Sequence, residues 1–281
     1  MPEYTISLAI WIVPICVLSI FFVRKRLLTP EKMFALFITI AVSAAVGIIL
    51  DLLFALTFFR FPDSHTTIGW TIRGIPVEEF VFYITGFWFI VFVYVFCDEW
   101  YLLKYNVPDH RYARYRKWVR RRFFVHKSSI VQVVLLVVLG IVVKRLLNPE
   151  PVIPGYYTFL VIAAYMPMIF FWRITRLFVN WRGYVVTVLT TVLLSIIWEV
   201  TLALPRGYWN YQPQHMLGIF IKPWSKLPIE AVTVWVCSSL AILVYEYVKI
   251  RFFTETPSVP LYGLFLKWGR EWRDNPEKSA K

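Results

Sequence analysis

Five acidic residues stand where acidic side chains are costly. Asp51 and Glu199 lie within long apolar runs, while Glu78, Glu79 and Glu230 open two others, directly after Ile75-Pro76-Val77 and Leu227-Pro228-Ile229. Carboxyl groups gathered in a low-dielectric site disfavour one another's ionisation, and desolvation acts in the same direction. A neutral carboxylic acid beside a carboxylate is an acid and base pair that can move protons. Glu78, Glu79 and Glu230 have an ordinary alternative role as first-turn acids after a proline, where the helix dipole favours negative charge. Asp51 and Glu199 lack that role, because the far end of a helix disfavours negative charge. Trp70, Phe80, Phe82, Trp198, Trp209 and Trp235 crowd the same stretches. Aromatic faces attract cations, so such rings could stabilise a carbocation formed by protonating an alkene. Each ring taken singly also suits lipid contact or an interfacial belt.

The elements that must position these groups are membrane spans. Of the 281 residues 59% are apolar and only 17% charged, against about 25% charged in soluble domains. That composition excludes a disordered chain, a coiled coil and a soluble nucleic-acid-binding domain. A spanning helix needs about 20 mainly apolar residues. Seven runs qualify: Tyr4 to Val23, Met33 to Phe58, Val77 to Phe96, Ser128 to Val143, Tyr156 to Trp172, Gly183 to Leu204 and Ile229 to Val248. The net charge of +13 is distributed unevenly, with most Lys and Arg following the first, third, fifth and seventh runs. The positive-inside rule therefore places the N-terminus outside and the C-terminus in the cytoplasm. The basic, aromatic segment from Asp98 to Lys127 and the tail from Leu261 to Trp272 read as interfacial helices. Cys16, Cys97 and Cys237 fall at no metal or disulfide spacing and read as packing residues.

The chain also repeats itself. Phe21-Phe22-Val23-Arg24 is similar to Phe170-Phe171-Trp172-Arg173, Ile48-Ile49-Leu50-Asp51 to Ile196-Ile197-Trp198-Glu199, and Ile75-Pro76-Val77-Glu78 to Leu227-Pro228-Ile229-Glu230. Three spans reverse the chain direction and one connecting span restores it, so the copies are expected to be parallel. The expected fold is an all-α membrane protein of seven transmembrane helices, comprising two parallel three-helix repeats joined by a connecting span. Residues 1–97 form the first repeat, 98–155 the basic segment and connector, 156–249 the second repeat, and 250–281 a cytoplasmic interfacial tail. All five acids then gather at similar depth on the non-cytoplasmic side.

These motifs resemble those of the membrane-integral, flavin-independent lycopene cyclase domain in its fused two-copy form. The second copy carries Trp198-Glu199, then Gly207-Tyr208-Trp209-Asn210-Tyr211 and Leu217-Gly218, then Leu227-Pro228-Ile229-Glu230. The first carries Asp51, Gly69-Trp70 and Ile75-Pro76-Val77-Glu78-Glu79-Phe80. Glu199 stands where the family usually has Asp, Ala231 replaces the second Glu, and the first outer loop matches poorly. The resemblance implies a redox-neutral intramolecular lyase (isomerase) in a bacterial or archaeal cytoplasmic membrane, acting on lycopene or a related hydrophobic polyene. Glu78 or Glu79 would be the acid, the other or Glu230 its partner, and Asp51 and Glu199 would set protonation states. Trp70, Phe80, Trp198, Trp209, Tyr211 and Trp235 would bind substrate. No cofactor, metal or nucleic acid is implied.

Other classes of membrane protein share some of these features. A retinal protein is disfavoured because the seventh run has no Lys before Lys249. A proton-coupled transporter would also place acids at a repeat interface, and a noncatalytic carotenoid-binding subunit would keep the aromatics. His65 and His215 are read as solvated loop residues rather than metal ligands.

Overall fold

In a computed structural model that describes residues 2–62, 66–107, 127–150 and 155–252, the apolar runs become seven helices long and apolar enough to cross a membrane. They span Glu3–Lys25, Pro30–Phe58, Val77–Tyr101, Lys127–Leu147, Tyr156–Thr175, Trp181–Arg206 and Ile229–Arg251. The chain is an integral membrane protein. The expected runs recur with one to five extra residues at several ends, because polar caps and charged residues extend the helices beyond their apolar cores. Thr29 caps the second helix, its hydroxyl accepting from the Lys32 N–H at 3.4 Å with Pro30 at the first position. Asn180 does the same for the sixth, accepting from the Gly183 N–H at 3.1 Å.

The third and seventh helices begin alike. Each follows a proline that closes a two-stranded hairpin: Thr71–Ile72 pairs with Ile75–Pro76, and Phe220–Ile221 with Leu227–Pro228. Arg73 and Gly74 turn the first hairpin with φ of 54° and 80°, the left-handed pair that a two-residue hairpin loop requires. A third strand pair crosses between the copies, Phe59–Arg60 against Asn210–Tyr211. It brings the end of the second helix beside the chain that follows the sixth. Gln212 reinforces this joint, donating from its backbone N–H to the Phe58 carbonyl and from Nε2 to the Leu56 and Phe59 carbonyls. Carbonyls at a helix C-terminus otherwise lack partners.

The third and seventh helices occupy the centre. The second and sixth flank them on both sides, the first packs on the third, and the fifth on the seventh. The connecting fourth helix packs on the fifth and reaches the loop of the second copy. There Lys144 donates to the Gln214 and Met216 carbonyls at 2.7 and 3.1 Å, and Asn148 to those of Pro213 and Met216.

Asp98 and Glu99, expected in an interfacial segment, instead continue the third helix and are buried. They meet cations there. Lys32 lies 2.8 Å from Glu99, and Lys249 lies 3.6 Å from Asp98 and 3.1 Å from Glu246. Glu246 also accepts from the Tyr94 hydroxyl at 3.0 Å. Charge neutralisation inside the bundle explains why these polar residues extend the helix. Most of the expected interfacial segment, and the whole tail from Leu261 to Trp272, lie outside the described residues.

Candidate functional site

The five acids divide into two groups. Asp51, Glu79 and Glu199 line one cavity of about 410 Å³ between the second, third, fifth and seventh helices. Its remaining wall is largely aromatic and apolar, including Phe82, Tyr83, Tyr156, Trp209, Tyr211 and Trp235. Each of the three carboxyls accepts from a phenol. Tyr4 donates to Glu79 Oε1 at 2.7 Å, Tyr83 donates to Asp51 Oδ1 at 3.2 Å, and Tyr211 donates to Glu199 Oε1. No lysine or arginine lines this cavity among the described residues. Asp51 Oδ2 is buried without a hydrogen-bond partner among the described residues.

Glu78 and Glu230 have different partners. Glu78 Oε1 accepts from the Ile68 N–H at 2.6 Å and from the Thr5 hydroxyl at 3.0 Å. Glu230 Oε1 accepts from the Leu217 N–H at 2.6 Å. The matching positions of the two copies thus each fasten the loop that precedes their own helix. Adjacent helical residues diverge by about 100°, so Glu78 meets the loop while Glu79 faces the cavity. In the second copy the position that matches Glu79 is Ala231, which is buried.

Local backbone helps aim Glu199. The sixth helix changes to π geometry over Glu199–Ala203, and the fifth does so over Val161–Tyr165. Such turns are rare and are enriched at functional sites. Here one begins at an acid, and the other lies in a cavity wall that includes Leu160, Ala163 and Ala164.

Of the expected substrate-binding rings, Trp209, Tyr211 and Trp235 line the cavity. Trp198 is buried behind it, stacked on Phe82 at 5.1 Å. Phe80 packs with Ala55 and Ile75, and Trp70 is 73% exposed on the outer hairpin side. Tyr4, Tyr83 and Tyr156 escaped the sequence reading. Tyr83 carried a usable signal, because it lies four residues after Glu79 and therefore on the same helical face; Tyr4 carried none. Tyr211, in the loop, has its hydroxyl pushed well above the usual phenol range, by burial first and then by the charge of Glu199. It therefore remains a donor. His215 is shifted down by burial and by Lys144, so it is a neutral imidazole. Among the described residues no group of three or more His, Cys, Asp or Glu could hold a metal ion, and His65 lies outside them.

Comparison with curated proteins and with solved structures yields no match. A family model described as lycopene cyclase matches twice, over residues 3–97 and 154–248. The two matched stretches cover both copies of the acid-bearing motif and more than half of the chain, and they supply every carboxyl in the cavity. With that geometry and that coverage, the chain belongs to the lycopene cyclase family, whose members act on carotenoids.

Proposed function

We propose that the protein cyclises the end group of a linear carotene such as lycopene by proton transfer within this cavity. Glu79 donates a proton to the terminal double bond. The electron pair of an internal double bond then closes the ring carbon–carbon bond and leaves a ring cation. Asp51 or Glu199 accepts a ring proton, and the released electron pair restores a double bond. One proton is gained and one lost, so the substrate is isomerised without oxidation or reduction. The faces of Phe82, Trp209 and Trp235 suit the passing cation.

One observation carries the reading: three carboxyls drawn from both copies meet in one apolar, aromatic cavity, held by phenols and, among the described residues, without a cation. Three spans per copy and one connecting span support a parallel arrangement of the copies, and the distribution of basic residues supports placing this end on the non-cytoplasmic side. Glu78 and Glu230 are then loop fasteners rather than proton carriers.

The test is expression in a bacterium that accumulates lycopene, with the extracted pigments separated and weighed by mass spectrometry. A pigment of unchanged mass with a cyclic end group supports the reading, and its spectrum gives ring type and number. Unaltered lycopene beside verified membrane protein overturns it for this substrate. That outcome would favour a transporter if the protein moves protons across vesicles, or a binding subunit if carotenoid copurifies unchanged.

A further inference from the structure

The cavity extends well beyond the carboxyls. On the third helix Glu79, Phe82, Tyr83, Gly86, Phe87 and Ile90 all face it, a stripe at the spacing of one helical face. Gly86 is therefore about 10 Å deeper than Glu79, at about 1.5 Å per residue. On the second helix the wall runs from Asp51 down to Val42, roughly 13 Å by the same rise. Val42 and Val46 are 48% and 49% exposed. The wall thus reaches the bilayer-facing flank between the second helix and the fifth, which contributes Ala163, Ala164 and Pro167.

Two glycines in this wall differ in kind. A Cβ on Gly47 would come within 3.0 Å of Tyr83 Cδ1 and 3.1 Å of Phe87 Cε2. Gly47 lets the phenol that serves Asp51 lie against the second helix. A Cβ on Gly86 would meet nothing within 4 Å, although the residue is buried. Nothing in the packing requires glycine there, and glycine weakens a helix interior. The space in front of it is the cavity itself.

We propose that Gly86 is a specificity-determining residue that keeps open a passage for the linear remainder of the substrate. One end group sits among the carboxyls, the chain runs past Gly86, and the far end leaves between the second and fifth helices into lipid. An extended carotene is about as long as the ~30 Å hydrocarbon core, so the cavity holds only part of it. This rests on the cyclase reading for its substrate class, and its failure can be told apart from failure of that reading.

The experiment is a series of Gly86→Ala, Gly86→Leu and Gly86→Phe in the lycopene-accumulating host. It has two readouts: conversion per extracted protein, and polyene absorbance retained by the purified protein. Monodisperse extraction at wild-type yield reports folding. Conversion and bound polyene should both fall with side-chain size, near wild type for Ala, at least tenfold lower for Leu and lowest for Phe. A truncated linear polyene with the same end group should be converted by the Phe variant at close to the wild-type rate. Undiminished lycopene conversion or binding in a folded Gly86→Phe protein overturns the passage. So does equal loss with long and short substrates. If wild type binds polyene without cyclising it and Gly86→Phe does not bind, the passage stands and the cyclase reading fails.

Discussion

Two buried groups of carboxylates sit at opposite ends of the same bundle and have different company. At one end Asp98, Glu99 and Glu246 meet Lys32 and Lys249. At the other Asp51, Glu79 and Glu199 have phenols and a cavity, with no cation in its lining among the described residues. An ionised carboxylate that is buried needs a paired charge. The first group has that pairing and ties the second, third and seventh helices together. The second group does without it, which suits groups whose protons are to move. Burial and acidity are common to both ends; under the proposed function, the partner separates structure from chemistry.

The largest expected effect is at Glu79. Glu79→Gln keeps the size of the side chain and an oxygen for the Tyr4 hydroxyl, but the amide cannot donate a catalytic proton. Pigment conversion should fall by about 10²–10⁴, the usual contribution of a general acid, with protein level and thermal stability in detergent near wild type. Conversion at half the wild-type rate would break the comparison at its centre.

Lys249→Met addresses the other end. It leaves Asp98 and Glu246 buried without their shared cation, and breaking such a pair typically costs about 3–5 kcal/mol. The variant should melt markedly lower and yield less folded protein, yet convert pigment at an unchanged rate per folded molecule. A rate lost without a loss of stability would mean that the charged end takes part in the chemistry.

How much of this was legible in the sequence depends on the kind of signal. The seven helices were, because apolar runs near twenty residues leave few alternatives, and so were the paired Pro-hydrophobic-Glu motifs. The partition of the acids was not. Glu78 and Glu79 are neighbours of identical type, and only the path of the loop at Ile68 decides which one it occupies. Asp98 and Glu99 looked like interfacial residues because Lys32 and Lys249, far away in sequence, give no local sign of meeting them. The packing of Trp11 is announced by no motif either. Aligned on Arg24 and Arg173, Trp11 of the first helix falls where the fifth has Leu160, which lines the cavity. Trp11 is fully buried, stacked on Trp235 at 5.3 Å and edge-on to Phe82, Phe89 and Trp198.

A smaller effect is expected from the phenols. Tyr211→Phe removes the donor to Glu199, and Tyr94→Phe removes one to Glu246. A hydrogen bond to a charged or buried partner contributes about 1.5 kcal/mol. At the cavity that should appear as roughly a tenfold slower conversion, whereas at the charged end it should appear in the melting temperature alone. Identical consequences at the two ends would show that the carboxylate groups do not differ in function.

The smallest effect should come from Glu78→Gln, and its value lies in that smallness. The amide oxygen can still accept from the Ile68 N–H and the Thr5 hydroxyl, which are the contacts Glu78 makes. Loop and helix start should hold, and conversion should stay within about threefold of wild type, since the amide keeps both hydrogen bonds and the side chain does not line the cavity. Glu230→Gln should behave alike, because it preserves an acceptor for the Leu217 N–H. Measured beside Glu79→Gln in the same host, the pair of adjacent variants asks whether a rotation of about 100° around one helix is enough to separate a loop fastener from an acid. Loss of conversion in a stable Glu78→Gln protein would return Glu78 to the chemistry and require the loop to move during turnover.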